Sequence, residues 1–242
     1  MAGADGWHRP VTEQAVTGRN VAIGVDVWSC SLDLAPASLD EAYRVLPVDE
    51  IERARRYKFH RDRHRFVAGR FFLRRTLAEY VSIDPDQLSF VYGPFGKPEL
   101  SPPLNGTRVE FNLSHSGDIA VLAVSRGPAV GIDVERVVPV SDLQAIASRF
   151  FSTCENTALN EVPADSREFA FYCCWTRKEA FIKALGDGLA HPLDAFDVSL
   201  DEECPRLIAI RSDRELASKW ALFHLCPAPG YVAALAVKES AT

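Results

Sequence analysis

The spacing of apolar and polar positions divides this chain into two stretches that read alike. Up to about Asn20 the sequence is polar and aperiodic and predicts a flexible N-terminal tail, residues 1–20. The run Val21 to Trp28 (VAIGVDVW) is rich in β-branched residues and predicts a strand. Leu39 to Lys58 reads as helical, with Pro47 suited to a first helical turn. Asp62 to Tyr80 gives a clearer helix, because Phe66, Gly69, Leu73, Leu77 and Tyr80 recur at helical spacing and share one face. Turn residues from Gly93 to Pro98 then lead to a strand pair, Val109–Leu113 and Ile119–Val124.

The order then restarts. Ala129–Glu135 (AVGIDVE) echoes Ala22–Val27 (AIGVDV), with Asp133 answering Asp26. Phe223-His224-Leu225 echoes Phe111-Asn112-Leu113, and Ala233–Val237 echoes Ala120–Val124. The amphipathic pattern from Arg167 to Leu185 stands where Asp62–Tyr80 stood, and Gly186 is placed to end it. Matches in one order at offsets of 107, 112 and 113 positions favour a duplicated unit. The expectation is an α+β fold of pseudo-twofold duplicated α/β halves in a single chain, residues 21–126 and 127–242, meeting near Arg126-Gly127-Pro128. A groove between such halves is a usual place for a ligand. Two capping-box patterns, Ser141-x-x-Gln144 and Ser152-x-x-Glu155, predict helix starts in the second half. The first opens a helix through Phe150 that buries Leu143, Ile146 and Phe150.

Composition narrows the class. With 242 residues, 47% of them apolar and 25% charged, the chain has material for a sizeable core. A formal net charge of -6 argues against a general nucleic-acid binder. The first residues lack the pattern of a signal peptide, and no apolar run is long enough to span a membrane, so a cytoplasmic protein is expected. None of the six cysteines forms a C-x-x-C pair, so zinc and thioredoxin-like spacings are absent, which points to small buried hydrophobes in a reducing compartment.

Four features carry chemistry. Asp133 and Glu135, at i and i+2 on a strand, project to the same face, where two carboxylates flanked by Ile132 and Val134 call for a cation. Oxygen ligands without a nearby His or Cys suit Mg²⁺ better than zinc. A pair of acids at a strand end meeting water is the plainer alternative. Trp175, Glu179 and Lys183 form one helical stripe, so Glu179 is placed to complete a three-carboxylate site and Lys183 to reach a phosphate. An exposed Glu-to-Lys pair of little consequence fits the same spacing. Asn112-Leu113-Ser114-His115-Ser116-Gly117 reads as a turn after a strand, either an anion cradle or simple turn chemistry. No G-x-S-x-G elbow surrounds Ser114, which weighs against a hydrolase, and no G-x-x-x-x-G-K-[ST] loop is present. Finally, ten basic residues crowd between Arg53 and Arg75, and arginines at such density suit a phosphate or an acidic partner. A non-catalytic module gripping an acidic protein or nucleic acid would use that segment but leaves the acids unexplained.

Gly96-Lys97-Pro98, Phe111–Ser116, Gly131-Ile132-Asp133-Val134-Glu135, Arg149-Phe150-Phe151-Ser152 with Glu155, and Trp175–Gly186 resemble, in this order, the 4′-phosphopantetheinyl transferases of the broad-specificity, Sfp-type class. The resemblance runs from about Trp28 to the C-terminal strand. It implies a monomeric pseudo-dimer that transfers the phosphopantetheine arm of coenzyme A to a serine of an acyl carrier or peptidyl carrier protein. It implies Asp133, Glu135 and Glu179 as ligands of Mg²⁺ (Mn²⁺ being of the same ligand type), with Glu179 and Lys183 as catalytic groups. Arg53, Lys97, Ser114 and His115 would hold the phosphates of coenzyme A, with no role for a membrane or nucleic acid. Glu50 departs from the pattern, which has a basic residue there.

Overall fold

The computed structural model describes residues 9–10, 16–17, 24–102, 104–186, 191–211 and 213–239. Its first half runs β3 (Val25–Ser31), α1 (Pro36–Val45), α2 (Val48–Arg55), α3 (His60–Val81), a hairpin of β4 (Phe90–Tyr92) and β5 (Pro98–Leu100), then β6 (Val109–Ser116) and β7 (Ile119–Arg126). The second half repeats the series as β8 (Val130–Arg136), α4 (Leu143–Phe150), α5 (Thr153–Glu161), α6 (Arg167–Leu185), a hairpin of β9 (Phe196–Val198) and β10 (Leu207–Ile210), then β11 (Trp220–Leu225) and β12 (Tyr231–Lys238). The helix α7 (Arg214–Ala217) is an addition in the second half. Both sheets are antiparallel with the same core order, β3-β7-β6 and β8-β12-β11. The duplication read from three short strings therefore extends to every main element of each half.

Of the stretch expected as a loose tail, the described residues are β1 (Arg9–Pro10), which pairs with β3, and β2 (Val16–Thr17), which pairs with β11. The rest of that stretch, and Val21–Ile23 of the predicted first strand, lie outside the described residues.

Period-two alternation gives each sheet two apolar faces, and the fold buries both. Ala120, Leu122 and Val124 of β7 pack under Ala68, Phe72, Leu73 and Leu77 of α3. The opposite face of β7, Val121 and Ala123, meets Val130, Ile132 and Val134 of β8 and Phe223 and Leu235 of the second sheet. Ala234 and Ala236 of β12 complete the stack beneath Phe171, Cys174 and Phe181 of α6. The layers are thus helix, sheet, sheet, helix, with a core at each junction.

Local chemistry explains the boundaries and corrects several expectations. The helical region 39–58 is two helices, because Pro36 starts α1 and Pro47 is the extended cap before α2 rather than a residue of its first turn. In α3 the buried surface is wider than one stripe: Val67 and Phe71 form a separate core with Ala42, Leu46 and Ala54 of α1 and α2. Ser152 caps α5 in a full capping box with Glu155. The Ser141 box does not form; α4 begins after Asp142 with no side-chain cap. Gly186 ends α6 at φ 78° as expected.

Candidate active site

Strand β8 sets one wall of the site. Val130, Ile132 and Val134 turn into the core between the sheets, so Gly131, Asp133 and Glu135 turn toward α6. Gly131 is where helix and strand come closest. A Cβ there would fall under 3.0 Å from the backbone of Ala180 and Ala184, so the absence of a side chain is what lets α6 lie against β8. From Ala170 to Ala184, every residue of α6 is buried except Trp175, Glu179 and Lys183. The stripe inferred from sequence is the one line along which the middle of this helix remains partly open. Trp175 stacks on Phe171 and meets Phe150 edge-on, which gives it a packing role.

The second wall comes from the other half. At the edge of the first sheet, β6 continues to Ser116, and the turn is only Gly117-Asp118 with Gly117 at φ 54°. Ser114 and His115 are therefore strand residues facing opposite ways, not neighbours in a loop cradle. Asn112, Ser114 and Ser116 line one face of β6 and each reaches β8. Asn112 Oδ1 accepts the Ile132 N–H at 2.9 Å, Ser114 Oγ donates to Asp133 Oδ1 at 2.9 Å, and Ser116 Oγ donates to Glu135 Oε2 at 2.8 Å. This polar seam joins the two halves. Asn112 and Ser116 were missed as site residues, although their i, i+2, i+4 alternation with Phe111 and Leu113 was a usable signal.

Lys183 brings helix, strand and seam together: its Nζ donates to Asp133 Oδ1 at 2.6 Å and to Ser114 Oγ at 2.9 Å. Asp133 Oδ2 is buried with no hydrogen-bond partner. Burial raises the pKa of Glu135, with Asp133 and Glu179 adding to the effect against Ser116 and Lys183. Burial likewise raises Glu179, followed by the Asp133 charge. The three carboxylates thus feel one another across the seam. Among the described residues, three metal-type donors fall within 4.8 Å of one another only at Glu202, His224 and Cys226. The Asp133–Glu135–Glu179 group is more open than that, and the Lys183 ammonium stands among its charges.

The remaining expected residues fall around this centre. His115 is exposed; partial desolvation by its surroundings, then the charges of Lys183 and Arg65, hold its imidazole below the ordinary value. Arg65, paired with Asp118 at the tip of the β6–β7 turn, belongs to this electrostatic neighbourhood and was not singled out from the basic run. Lys97 Nζ donates to the Val130 carbonyl at 3.3 Å, its stem lies beside Gly186, and burial lowers its pKa. Arg53 is exposed on α2, its guanidinium 5.3 Å from the Phe66 ring, beside a depression of about 270 Å³ shared with Arg56 and Tyr57. Glu50 points inward to an ion pair with Arg70 and Arg74, which explains an acid at that position. In the first half, the repeat places Asp26 where Asp133 stands, but the Tyr80 hydroxyl binds it at 2.6 Å and Trp28 occupies the position of Glu135.

The site thus sets a carboxylate group against a lysine and a serine across a seam between like α+β halves. Comparison with known proteins gives the family. Residues 129–236 match the 4′-phosphopantetheinyl transferase superfamily, and residues 33–127 match the N-terminal part of a 4′-phosphopantetheinyl transferase. The 4′-phosphopantetheinyl transferase HetI of Nostoc is 37% identical over 88% of this chain and 87% of its own. A 4′-phosphopantetheinyl transferase of Bacillus subtilis is 36% identical over 70% of this chain and 73% of its own. The Sfp transferase of Bacillus subtilis is 34% identical over 69% and 74%. This chain belongs to the 4′-phosphopantetheinyl transferase family, of the Sfp type, whose members are metal-dependent enzymes that use coenzyme A to modify carrier proteins. Among the described residues, no helix is long and apolar enough to cross a membrane.

Proposed function

We propose that the chain transfers 4′-phosphopantetheine from coenzyme A to a serine of an acyl or peptidyl carrier protein, releasing 3′,5′-ADP, with Mg²⁺ held by Asp133, Glu135 and Glu179. The observation that carries this reading is the buried, unpartnered Asp133 Oδ2 beside two further carboxylates whose proton affinity is raised. A buried anionic oxygen without a donor is costly, and an all-oxygen donor set fits a hard divalent cation. When bound, Mg²⁺ supplies charge neutralisation for the diphosphate of coenzyme A, for which Mn²⁺ can substitute.

The chain's own residues do the rest. Lys183, already steered by Asp133 and Ser114, stabilises the charge that develops on the departing 3′,5′-ADP. Ser114 orients a phosphate oxygen, and His115, Lys97 and Arg53 hold the outer phosphates. Glu179 accepts the proton of the carrier serine as its oxygen attacks the β-phosphate. The exposed arginines of α2 meet the acidic surface of the carrier. The polar seam and the core between the sheets do within one chain what a dimer interface would do, which supports a monomer. Three of the free cysteines, Cys154, Cys204 and Cys226, are exposed rather than buried as expected; all six being free supports a reducing, cytoplasmic setting.

The test is mass spectrometry of an apo carrier protein incubated with the chain, coenzyme A and Mg²⁺, where the serine gains a phosphopantetheine arm. Asp133→Ala should abolish the metal-dependent reaction. Lys183→Ala should lower turnover by about 10²–10³-fold while changing coenzyme A affinity much less. Full activity in either variant would remove its assigned role.

A further inference from the structure

Two strands away from Asp133, the same face of the second sheet carries a different set of donors. His224 on β11 is in register with Ala234, which is in register with Asp133, a separation of about 10 Å at two strand spacings. The His224 imidazole is buried on the flank of α6 that carries Cys173 and Phe169. Its Nε2 lies 3.3 Å from Cys226 Sγ and 3.5 Å from Glu202 Oε1, and all three donor atoms lie within 4.8 Å of one another. Tetrahedral zinc with bonds of about 2.0–2.3 Å places its ligand atoms roughly 3.3–3.8 Å apart. The two spacings from His224 Nε2 fall in that range, and the third pair lies within 4.8 Å.

We propose that Glu202, His224 and Cys226 form a Zn²⁺ site, separate from the catalytic carboxylates, that ties the 199–206 segment to the end of β11. The donor chemistry favours this metal: one imidazole nitrogen, one sulfur and one carboxylate suit a borderline-soft ion and not Mg²⁺. The His224 ring is buried, with its Nε2 turned toward Cys226 and Glu202. Its Nδ1 faces Cys173 Sγ at 4.0 Å, a buried thiol that fixes the ring from behind. Two nitrogens of the Arg177 guanidinium donate to the Ser199 and Asp201 carbonyls, holding the segment that presents Glu202. Cys226 and Glu202 are exposed, so an ion has an entry path and a fourth position open to water.

The test uses the full chain, stripped of metal and reloaded with Zn²⁺ in excess Mg²⁺ so that the catalytic carboxylates are occupied. The expected result is one Zn²⁺ per chain retained through gel filtration and a higher melting temperature. Co²⁺ in its place should give a sulfur-to-metal charge-transfer band, which carboxylates alone do not produce. Cys226→Ser should lose both the band and the retained Zn²⁺, and Glu202→Gln should weaken binding by at least about 10–100-fold, the cost of losing even an outer-shell partner. Both positions lie outside the catalytic machinery, and both variants should transfer phosphopantetheine at the wild-type rate, which shows that they are folded. Zinc retained by the wild-type chain at no more than background level, or a charge-transfer band that persists in Cys226→Ser, would overturn the site.

Discussion

Substituting Gly131 by alanine tests whether the approach of α6 to β8 sets the catalytic geometry. The added methyl would sit 2.9 Å from Ala184 Cα and closer still to Ala180 O and Ala184 N, whereas ordinary contact begins at 3.4 Å. All three atoms are backbone, so no side chain can swing aside, and the helix must back away by roughly 1 Å. Overpacking of this kind costs about 1–3 kcal/mol. The larger effect falls on chemistry. Asp133 and Glu135 travel with the strand, while Glu179 and Lys183 travel with the helix, so the shift pulls apart the groups proposed to act together. A misplacement of about 1 Å costs on the order of 10²-fold in rate. Transfer to an apo carrier protein, followed by mass spectrometry alongside a thermal melt, reads both effects. Gly106→Ala is the control, because its Cβ meets nothing within 4 Å and it should be silent. If Gly131→Ala kept wild-type turnover while folded, the close approach would have no part in catalysis.

Glu50→Ala should destabilise the chain by about 3–5 kcal/mol in urea denaturation, because it leaves the buried Arg70 and Arg74 without their carboxylate. Burial alone would raise the Glu50 pKa; the Arg74 and Arg70 hydrogen bonds overcome it and hold the carboxyl below its usual 4.5. Its contribution is therefore complete above about pH 4.5 and is lost as pH falls through the lowered folded value, so acid should narrow the gap between Glu50→Ala and wild type. Ser152→Ala removes one half of the α5 capping box and should cost about 1 kcal/mol, with activity unchanged.

The sequence made the site's acids legible for a simple reason: each lies on a regular element whose period can be counted. Asp133 and Glu135 alternate with core residues, and Trp175, Glu179 and Lys183 repeat every fourth position, so their faces follow from geometry alone. Position in the fold decided what could not be counted. Arg177 and Lys178 sit in the same string as Glu179 and look like surface charges, yet both are fully buried. Their partners are the Ser199 and Asp201 carbonyls and, for Lys178, Glu155 with the Leu193 and Phe196 carbonyls, all contributed by segments remote in sequence. Ser114 and His115 were read as turn residues because Ser and Gly favour turns; Gly117-Asp118 alone closes the hairpin, so the strand runs on through Ser116. Why Glu50 departs from the family's basic pattern was not legible, because the direction of a helix face depends on what packs beneath it, here Arg70 and Arg74.

A protein made of two like halves has two related junctions between them, and here they have met different fates. Strands β6 and β8 line the junction that keeps its acids and its opening. Their counterparts, β11 and β3, carry β2 (Val16–Thr17) and β1 (Arg9–Pro10) along their edges, so the edges that answer β6 and β8 are paired with further strands. The symmetry between the halves is broken by pairing as well as by substitution: one pair of sheet edges meets across a polar seam, while each edge of the sister pair has gained a short strand of its own.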